Sequence, residues 1–308
     1  MGALLTRRRF VQTTTAVMTA AALPRLVAGQ PAGVRFTDLG PDLVLAEGLG
    51  ANVVALKSAD GVLLVDGGAA PHSAALLAAL AQRWPNAAVQ ILFNTNWRYE
   101  HTGSNEALRA KGATVMAHEN TKLWLAGDFF VPWEERHYDP QPAAALPNKT
   151  FYTSGNLDFG GRRIEYWHLP RAHTDGDVAV FVPDANVLVA SDLLSVGRYP
   201  VPDYATGGWI GGLVDASRSL LDATDARTRI VGASGGAYGR AELEAQHAMC
   251  TTIRQKAAAA FRAGMSFTDF TASRPTAEFD ARWGDPSQFL ALVYKGGLLH
   301  LRELGGVI

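Results

Sequence analysis

Residues 91 to 103, ILFNTNWRYEHTG, place several reactive side chains directly after an apolar run. The imidazole of His101 and the carboxylate of Glu100 are ligands that zinc accepts, usually in a four-coordinate site. Arg98 cannot be a ligand, because its guanidinium stays protonated and offers only hydrogen-bond donors. Asn96 could add only a weak amide oxygen. These residue types raise the question of whether the segment is a metal site, with Arg98 as the one side chain that cannot donate an electron pair.

Three later segments contain further residues that could belong to the same site. AHTDGD contains His173, VLVASDLL contains Asp192 and VGASGG contains Ser234. His and Asp supply the nitrogen and oxygen atoms that zinc binds. A histidine in such a turn could instead bond backbone groups, and an aspartate after a strand could cap the next segment. Both interpretations stay open on the residues alone.

Short extended segments fill residues 34 to 68. VRFTDL, LVLAEG, NVVALKS and GVLLVDGG are rich in Val and Leu and are separated by Gly, Pro and Asp turns, which predicts a meander of strands. An alternation of strands and helices follows, with helical spacing in PHSAALLAALAQRW and GSNEALRAKG. Beyond Arg240 the sequence is mostly helical. These patterns favour a layered α/β domain with a helical C-terminal part.

Residues 124 to 150 contain four prolines and several aromatic residues without a clean period. This composition predicts a long loop or a short helical excursion. Loops of this kind often border a functional site. We therefore expect four aromatic side chains to contact a substrate: Trp124, Phe129, Phe130 and Trp133.

The order of these elements and the quoted motifs resemble the metallo-β-lactamase superfamily over roughly residues 34 to 240. The resemblance implies an α/β fold of the four-layer αβ/βα sandwich type with C-terminal helices, and a metal site at one edge between two sheets. In the family a His-x-His-x-Asp-His motif follows a strand, and NWRYEH aligns with it here. The aligned positions are Asn96, Arg98, Glu100 and His101 in the first motif, His173 in an intact second motif, Asp192 in an intact third, and Ser234 in place of a fourth His.

The resemblance implies at most one weakly held zinc ion at this site. Asn96, Arg98 and Ser234 are degenerate ligand positions, because none offers the imidazole that the family has there. Structural zinc sites with four good ligands have about 10 to 16 kcal/mol of apparent binding free energy, so the loss of one or two donors weakens binding strongly. The expected metal ligands are Glu100, His101 and Asp192, with His173 nearby.

Asp192 and Arg98 are the expected catalytic residues. Asp192 would orient the nucleophile. Arg98 would supply the positive charge that a metal otherwise provides, and would pair with Glu100 or Asp192 across the pocket. An Arg98 side chain that points to solvent is the alternative, since arginine is mostly exposed in proteins.

The activity that the resemblance implies is hydrolysis of an ester, thioester or amide-type bond in a small molecule. A non-catalytic binding protein that kept the pocket and lost the metal is the alternative, so whether the chain is an enzyme stays open. GASGG also fits the Gly-x-Ser-x-Gly pattern of a serine hydrolase, but the downstream histidines lie in helical sequence. A dinucleotide site is disfavoured, because no Gly-x-Gly-x-x-Gly follows an early strand.

The N-terminal segment TRRRFVQTTTAVMTAAALPRLVAG is typical of an export signal, with arginines before a mildly apolar stretch. It resembles the twin-arginine pattern, so we expect a periplasmic protein with no stable membrane anchor after processing. The alternative is a basic surface helix or a membrane anchor, although the apolar run is shorter than the roughly 20 residues that a bilayer span needs. The expected organisation is a signal at 1–29, the sandwich domain at 30–240, and a helical extension at 241–308 that packs on the same domain.

The composition is that of an ordinary globular protein, with 48% hydrophobic residues, 19% charged residues and a formal net charge of -1. Such a chain can bury a full core, and it gives no electrostatic reason to expect a nucleic-acid partner. Cys250 is the single cysteine, so no internal disulfide can form. We expect it to be a small buried hydrophobe.

Overall fold

The computed structural model describes residues 33 to 305, and its N-terminal half is built on a seven-stranded sheet. Four antiparallel strands begin it, as the Val- and Leu-rich segments predict, and two further strands join in parallel. The expected export signal lies outside the described residues. The strands are β1 (Arg35–Gly40), β2 (Leu43–Glu47), β3 (Val53–Ser58), β4 (Gly61–Val65), β5 (Val89–Phe93) and β6 (Thr114–His118).

Helices cross between the parallel strands and cover one face of this sheet. Leu76 and Leu80 repeat at helical spacing and are buried against the sheet residues Val44, Val62 and Leu92. The apolar face of an amphipathic helix is stabilised by such burial. The helices are α1 (Ser73–Arg83), α2 (Tyr99–Thr102), α3 (Asn105–Arg109) and α4 (Glu119–Ala126).

The segment predicted as a long loop or short helical excursion contains an antiparallel hairpin. Its two strands are paired from Phe129 with Tyr138 to Val131 with Arg136, and the turn includes Glu135 at a φ of 51°. The prediction was wrong here because each strand has three residues, which is too short to show a period of two. The strands are β7 (Phe129–Val131) and β8 (Arg136–Tyr138), and β9 (Lys149–Phe151) then completes the first sheet.

A six-stranded sheet forms the second half of the sandwich. It is antiparallel except for one parallel pair, whose strands are connected through a buried helix. The strands are β10 (Gly155–Phe159), β11 (Arg162–His168), β12 (Val178–Val182), β13 (Val187–Ser191), β14 (Arg229–Gly232) and β15 (Ala237–Tyr238), and the crossover helix is α5 (Ile210–Asp222).

The two sheets face each other across an apolar core, and helices cover the outer side of each. Leu63 and Phe93 of the first sheet share this core with Val180 and Val231 of the second. The outer face of the second sheet packs against α5 and the C-terminal helices. The expected four-layer αβ/βα sandwich is therefore confirmed. The C-terminal helices are α6 (Arg240–Arg262), α7 (Phe267–Ala272), α8 (Asp280–Trp283) and α9 (Ser287–Glu303).

None of the helices within residues 33 to 305 is both long enough and apolar enough to cross a bilayer.

Candidate functional site

The candidate site lies where four strand-ending loops meet. β4 runs parallel to β5, and β13 runs parallel to β14, so the loops that follow each pair leave from the same edge of their sheet. Asp66 follows β4, and the segment from Asn94 to His101 follows β5. Asp192 follows β13 and Ser234 follows β14. The fold thus brings together segments that are far apart in sequence.

Asp66 is a central residue of the site that the sequence analysis missed. It is buried in a left-handed conformation at a φ of 65°. Its carboxylate accepts hydrogen bonds from the backbone N and the Oγ1 of Thr95, at 2.8 and 2.9 Å. It also lies 2.9 Å from Nδ1 of His101. An acidic residue before two glycines at the end of a buried strand, in VLLVDGG, was the signal that could have revealed it.

His101 is held between two carboxylates. Its Nδ1 faces Asp66 at 2.9 Å, and its Nε2 faces Oδ2 of Asp192 at 2.8 Å. Burial disfavours the charged ring, but the two carboxylates outweigh burial and raise the pKa of His101 well above its ordinary value. When both ring nitrogens carry a proton, one donates a hydrogen bond to Asp66 and the other donates a hydrogen bond to Asp192.

Asp192 is the acceptor on which the site converges. Besides His101, Nδ2 of Asn96 donates to its Oδ2 at 2.9 Å. Burial alone would raise the pKa of this carboxyl, but His173, His101 and the amide of Asn96 hold it far below its ordinary value. Asp192 is therefore an anion, and it is half-buried at the cavity wall.

His173 directs a free ring nitrogen at the same carboxylate. Its Nδ1 donates to the backbone oxygen of Val201 at 2.5 Å, which orients the ring with Nε2 toward the cavity. This Nε2 is buried without a hydrogen-bond partner and lies 3.6 Å from Oδ2 of Asp192. Asp177, whose pKa burial raises to about 7, accepts hydrogen bonds from the backbone N of His173 and of Thr174. The turn is thus fixed and the imidazole is aimed into the site.

Arg98 points inward, but its expected pairing with Glu100 or Asp192 is wrong. Its guanidinium contacts Glu134 at 2.5 Å and Asp203 at 2.8 Å. Burial opposes the charge, but Asp203 and Glu134 outweigh burial and raise the pKa of Arg98. A buried guanidinium is stable only beside compensating carboxylates, and the hairpin and the loop beyond β13 supply them. We call the set of Arg98, Glu134 and Asp203 the Arg98 clamp.

Aromatic rings enclose this clamp. The Arg98 guanidinium lies 4.6 Å from the ring centroid of Trp97 and 5.1 Å from that of Trp133. Nε1 of Trp133 donates to Asp203 at 2.7 Å, and the hydroxyl of Tyr138 donates to Glu134 at 2.7 Å. The clamp therefore ties the hairpin to the loop after β5 and to the loop after β13.

The four aromatic residues expected to contact substrate lie in different places. Trp133 lines a cavity of about 310 Å³ together with His101, His173 and Asp192. Trp124 and Phe129 line a separate hollow, where the indole of Trp124 donates to Asp175 at 2.8 Å. Phe130 is 53% exposed on the hairpin. Of these four aromatic side chains, only Trp133 is at the cavity.

Glu100 and Ser234 lie at the margin of this cavity, and both are exposed. Glu100 makes no side-chain hydrogen bond or ion pair with the residues that the structure describes, and the Ser234 hydroxyl likewise makes no hydrogen bond to a histidine there. His247 hydrogen-bonds to Ser217 instead, at 2.9 Å. The serine-hydrolase interpretation of GASGG therefore has no supporting geometry. Cys250 is buried as expected, and burial raises the pKa of its thiol.

Three donor atoms of the site face one another and could together hold one metal ion. No ready-made group of three His, Cys, Asp or Glu side chains within residues 33 to 305 is arranged to hold a metal. The orphaned Nε2 of His173, the Nε2 of His101 and the carboxylate of Asp192 nevertheless face one another. They form the two-imidazole and one-carboxylate set common in catalytic zinc sites, provided that the hydrogen bond between His101 and Asp192 opens. Asn96 and Arg98 leave no such set for a second ion.

Known structures share this architecture. A metallo-beta-lactamase from Pontibacter korlensis has 17% sequence identity and a TM-score of 0.57, over 71% of this chain and 99% of that one. The DIM-1 metallo-beta-lactamase has 14% identity and a TM-score of 0.58, over 72% of this chain and 98% of that one. TMB-1 has 14% identity and a TM-score of 0.57, over 71% and 97%. At these identities the likeness shows the fold alone.

The sequence itself identifies the family. No curated protein matches the chain. The sequence profile of the Metallo-beta-lactamase superfamily matches residues 46–234, which is more than half of the chain and includes every strand-ending loop of the site. The protein therefore belongs to the metallo-beta-lactamase superfamily.

Proposed function

We propose that the protein is a hydrolase of ester, thioester or amide-type bonds in small molecules, and that it uses a single zinc ion. The observation that carries this proposal is the convergence of His101 and His173 on Asp192. Both imidazoles have Nδ1 engaged, by Asp66 and by the backbone oxygen of Val201, so both present Nε2 toward one carboxylate oxygen. In zinc sites, a histidine usually donates its second ring N–H to a hydrogen-bond acceptor. That bond orients the ring so that the other nitrogen faces the metal.

The residues of the chain divide the work. His101, His173 and Asp192 would hold the zinc, which supplies Lewis-acid polarisation of a carbonyl and increases the acidity of water. Asp192 would also orient the attacking water, because its anionic oxygen is exposed to the cavity. Trp133 forms a rigid wall at the cavity, since Asp203 fixes its indole.

Arg98 is a positioning residue in this proposal and not a catalytic residue. Its guanidinium is neutralised by Glu134 and Asp203 and is therefore not available to a substrate. It acts through the hairpin, which it holds beside the cavity. Glu100, which the resemblance placed among the ligands, is exposed and is not needed for the set of three donors.

Zinc titration of the purified protein tests the proposal directly. We expect one equivalent of zinc per chain after dialysis, measured by elemental analysis, and zinc-dependent hydrolysis of 4-nitrophenyl butyrate. His173→Gln and Asp192→Asn should abolish stoichiometric zinc. His137→Gln is the matched control, because His137 is 52% exposed on the hairpin and should leave zinc uptake unchanged. Two equivalents in the wild-type protein would refute the single-ion site.

A non-catalytic binding protein is the second candidate. The observation that favours it is the direct hydrogen bond between His101 and Asp192. A proton on Nε2 of His101 then occupies the place where a metal ion would bind. Zinc must displace that proton, so zinc affinity should rise with pH. If no zinc is retained at any pH at which the protein is folded, and no ester is hydrolysed, this candidate replaces the hydrolase.

We also propose export to the periplasm through a twin-arginine signal. The support is the sequence pattern of Thr6, Arg7, Arg8 and Phe10 followed by a short apolar stretch. Replacing both Arg7 and Arg8 with Lys should leave the protein in the cytoplasm on cell fractionation, whereas Arg9→Lys should not. Equal periplasmic yield from the double variant would contradict the proposal.

A further inference from the structure

An open groove of about 370 Å³ lies on the surface between α6 and α9. It shares no lining residue with the cavity that contains His173 and Asp192. Its volume falls within the range of small-molecule pockets, which begins at about 300 Å³. We call it the α6–α9 groove. Its α6 side is formed by Ala257, Ala258 and Phe261, and its α9 side by Gly297, Leu301 and, directly after the helix, Leu304.

The two sides of the groove are apolar helix faces. Ala257 and Phe261 are four residues apart, as are Gly297 and Leu301, and residues at this spacing share one face of a helix. The small residues Ala257 and Gly297 leave space between the larger ones. Leu304 is 61% exposed at the rim. A hydrocarbon chain that lies in the groove would therefore remove apolar surface of both helices from water.

The charged residues of the groove are cationic, since no aspartate or glutamate of residues 33 to 305 lines it. Arg254 lies at one end, where its guanidinium is 5.6 Å from the ring centroid of Trp209 and 3.5 Å from the carboxylate of Asp215. Arg262 lies at the other end, roughly 12 Å further along α6. Its side chain is exposed and makes no ion pair or hydrogen bond in the described part of the chain. An anionic group would therefore find an unneutralised partner at Arg262.

We propose that the α6–α9 groove binds a fatty acid, with the carboxylate at Arg262 and the hydrocarbon chain along the apolar faces of the two helices. A planar guanidinium can bind a carboxylate through two parallel hydrogen bonds. The concave shape suits a single chain that lies between the helices, whereas a flat bilayer surface would touch only the rim. The groove is separate from the proposed zinc ligands, so this inference does not depend on the hydrolase function.

Calorimetric titration with fatty acids of increasing length tests the groove. We expect decanoate, kept below its micelle concentration, to bind with one equivalent per chain, octanoate to bind more weakly and dodecanoate more tightly. Each added methylene should raise the affinity by up to about fourfold, because the groove removes it from water. Absence of decanoate binding, or an affinity that does not depend on chain length, would overturn the proposal.

Substitution of Arg262 tests the position of the carboxylate. Arg262→Gln should weaken decanoate binding about tenfold, since a charge-assisted hydrogen bond is lost, and Arg262→Lys should retain part of the affinity. The uncharged 1-decanol should bind equally to Arg262→Gln and to the wild type. Arg227→Gln is the matched control, because that side chain is 89% exposed and does not line the groove. Equal decanoate affinity of Arg262→Gln and the wild type would contradict the proposal.

Ala258→Phe tests the position of the hydrocarbon chain. Ala258 is half-buried on α6, and a ring at this position would fill the space between the helices. We expect this variant to keep the Tm of the wild type and to lose decanoate binding. Wild-type protein should also stay in the supernatant when phosphatidylglycerol vesicles are sedimented. Sedimentation with the vesicles and no binding of free decanoate would identify a membrane surface as the partner and refute the fatty-acid site.

Discussion

Arg98 occupies a position where the family resemblance predicts a metal ligand, and the structure uses it as a cross-link. The guanidinium joins carboxylates that are 36 and 105 residues away in the sequence. It therefore contributes to the shape of the cavity without facing it as a free charge.

Removing this cation should destabilise the protein strongly. Arg98→Met leaves the buried Asp203 and the half-buried Glu134 without a cationic partner, which should lower the free energy of unfolding by about 3 to 5 kcal/mol. Urea denaturation measures the change. Arg163→Met is the control, because Arg163 pairs with Glu165 on the surface at 2.8 Å and should cost less than about 1 kcal/mol. Equal losses in the two variants would show that the Arg98 clamp is not a buried ion-pair network.

Sequence motifs were enough to find some residues of the site and not others. His173 and Asp192 could be predicted because both lie in motifs that are intact relative to the family that the sequence resembles. The partners of Arg98 could not, because only the fold brings Glu134 and Asp203 to it. Asp66 was missed for the same reason, although VLLVDGG offered a local signal. Its contacts with Thr95 and His101 are made to a distant segment, which only the fold brings to it.

At the scale of elements, prediction worked where an element was long and periodic. The Val- and Leu-rich strands and the helices α1, α5, α6 and α9 follow from their spacing. The hairpin of β7 and β8 could not be foreseen, because its strands have three residues each and some of its packing partners come from other segments. Phe129 stacks on Tyr138 at 5.4 Å, and Trp97 from another segment meets Tyr138 edge-on at 4.8 Å.

Helix α4 is capped at its N-terminus by His118, whose titration should be visible in protein stability. Nδ1 of His118 accepts a hydrogen bond from the backbone N of Asn120, and its ring stacks on His168 at 3.6 Å. Burial, followed by repulsion from His168, lowers the pKa of His118 from 6.5 to about 4. The unfolded chain therefore takes up a proton that the folded chain refuses, and stability should fall as pH decreases from about 6.5 to about 4.

His118→Asn tests this, because asparagine keeps a capping oxygen and does not titrate. Between pH 6.5 and 4 the wild type should lose about 1 to 2 kcal/mol of unfolding free energy relative to the variant. Thermal unfolding across this pH range, analysed for both proteins, measures the difference. A difference that does not change with pH would show that His118 titrates normally in the folded protein.

At the scale of the whole molecule, the helices after residue 240 are part of the sandwich and not an appendage to it. Met249, Cys250 and Ile253 of α6 share one apolar core with Leu188 and Ile230 of the second sheet. Composition and helical spacing predicted these helices, but not that α8 and α9 would line a cavity beside His173 and Asp192. That placement depends on how α8 and α9 return to the loop after β13.

The Arg98 clamp also constrains how this protein could be converted into a two-metal enzyme. A histidine at position 98 would supply a zinc donor, but it would strand Glu134 and Asp203 with their negative charges uncompensated inside the fold. Replacing those acids as well would release Trp133 and Tyr138 from their hydrogen bonds. We therefore expect each of these substitutions, made alone, to lower the stability of the protein. A conversion to a two-metal site would therefore require several substitutions at the same time.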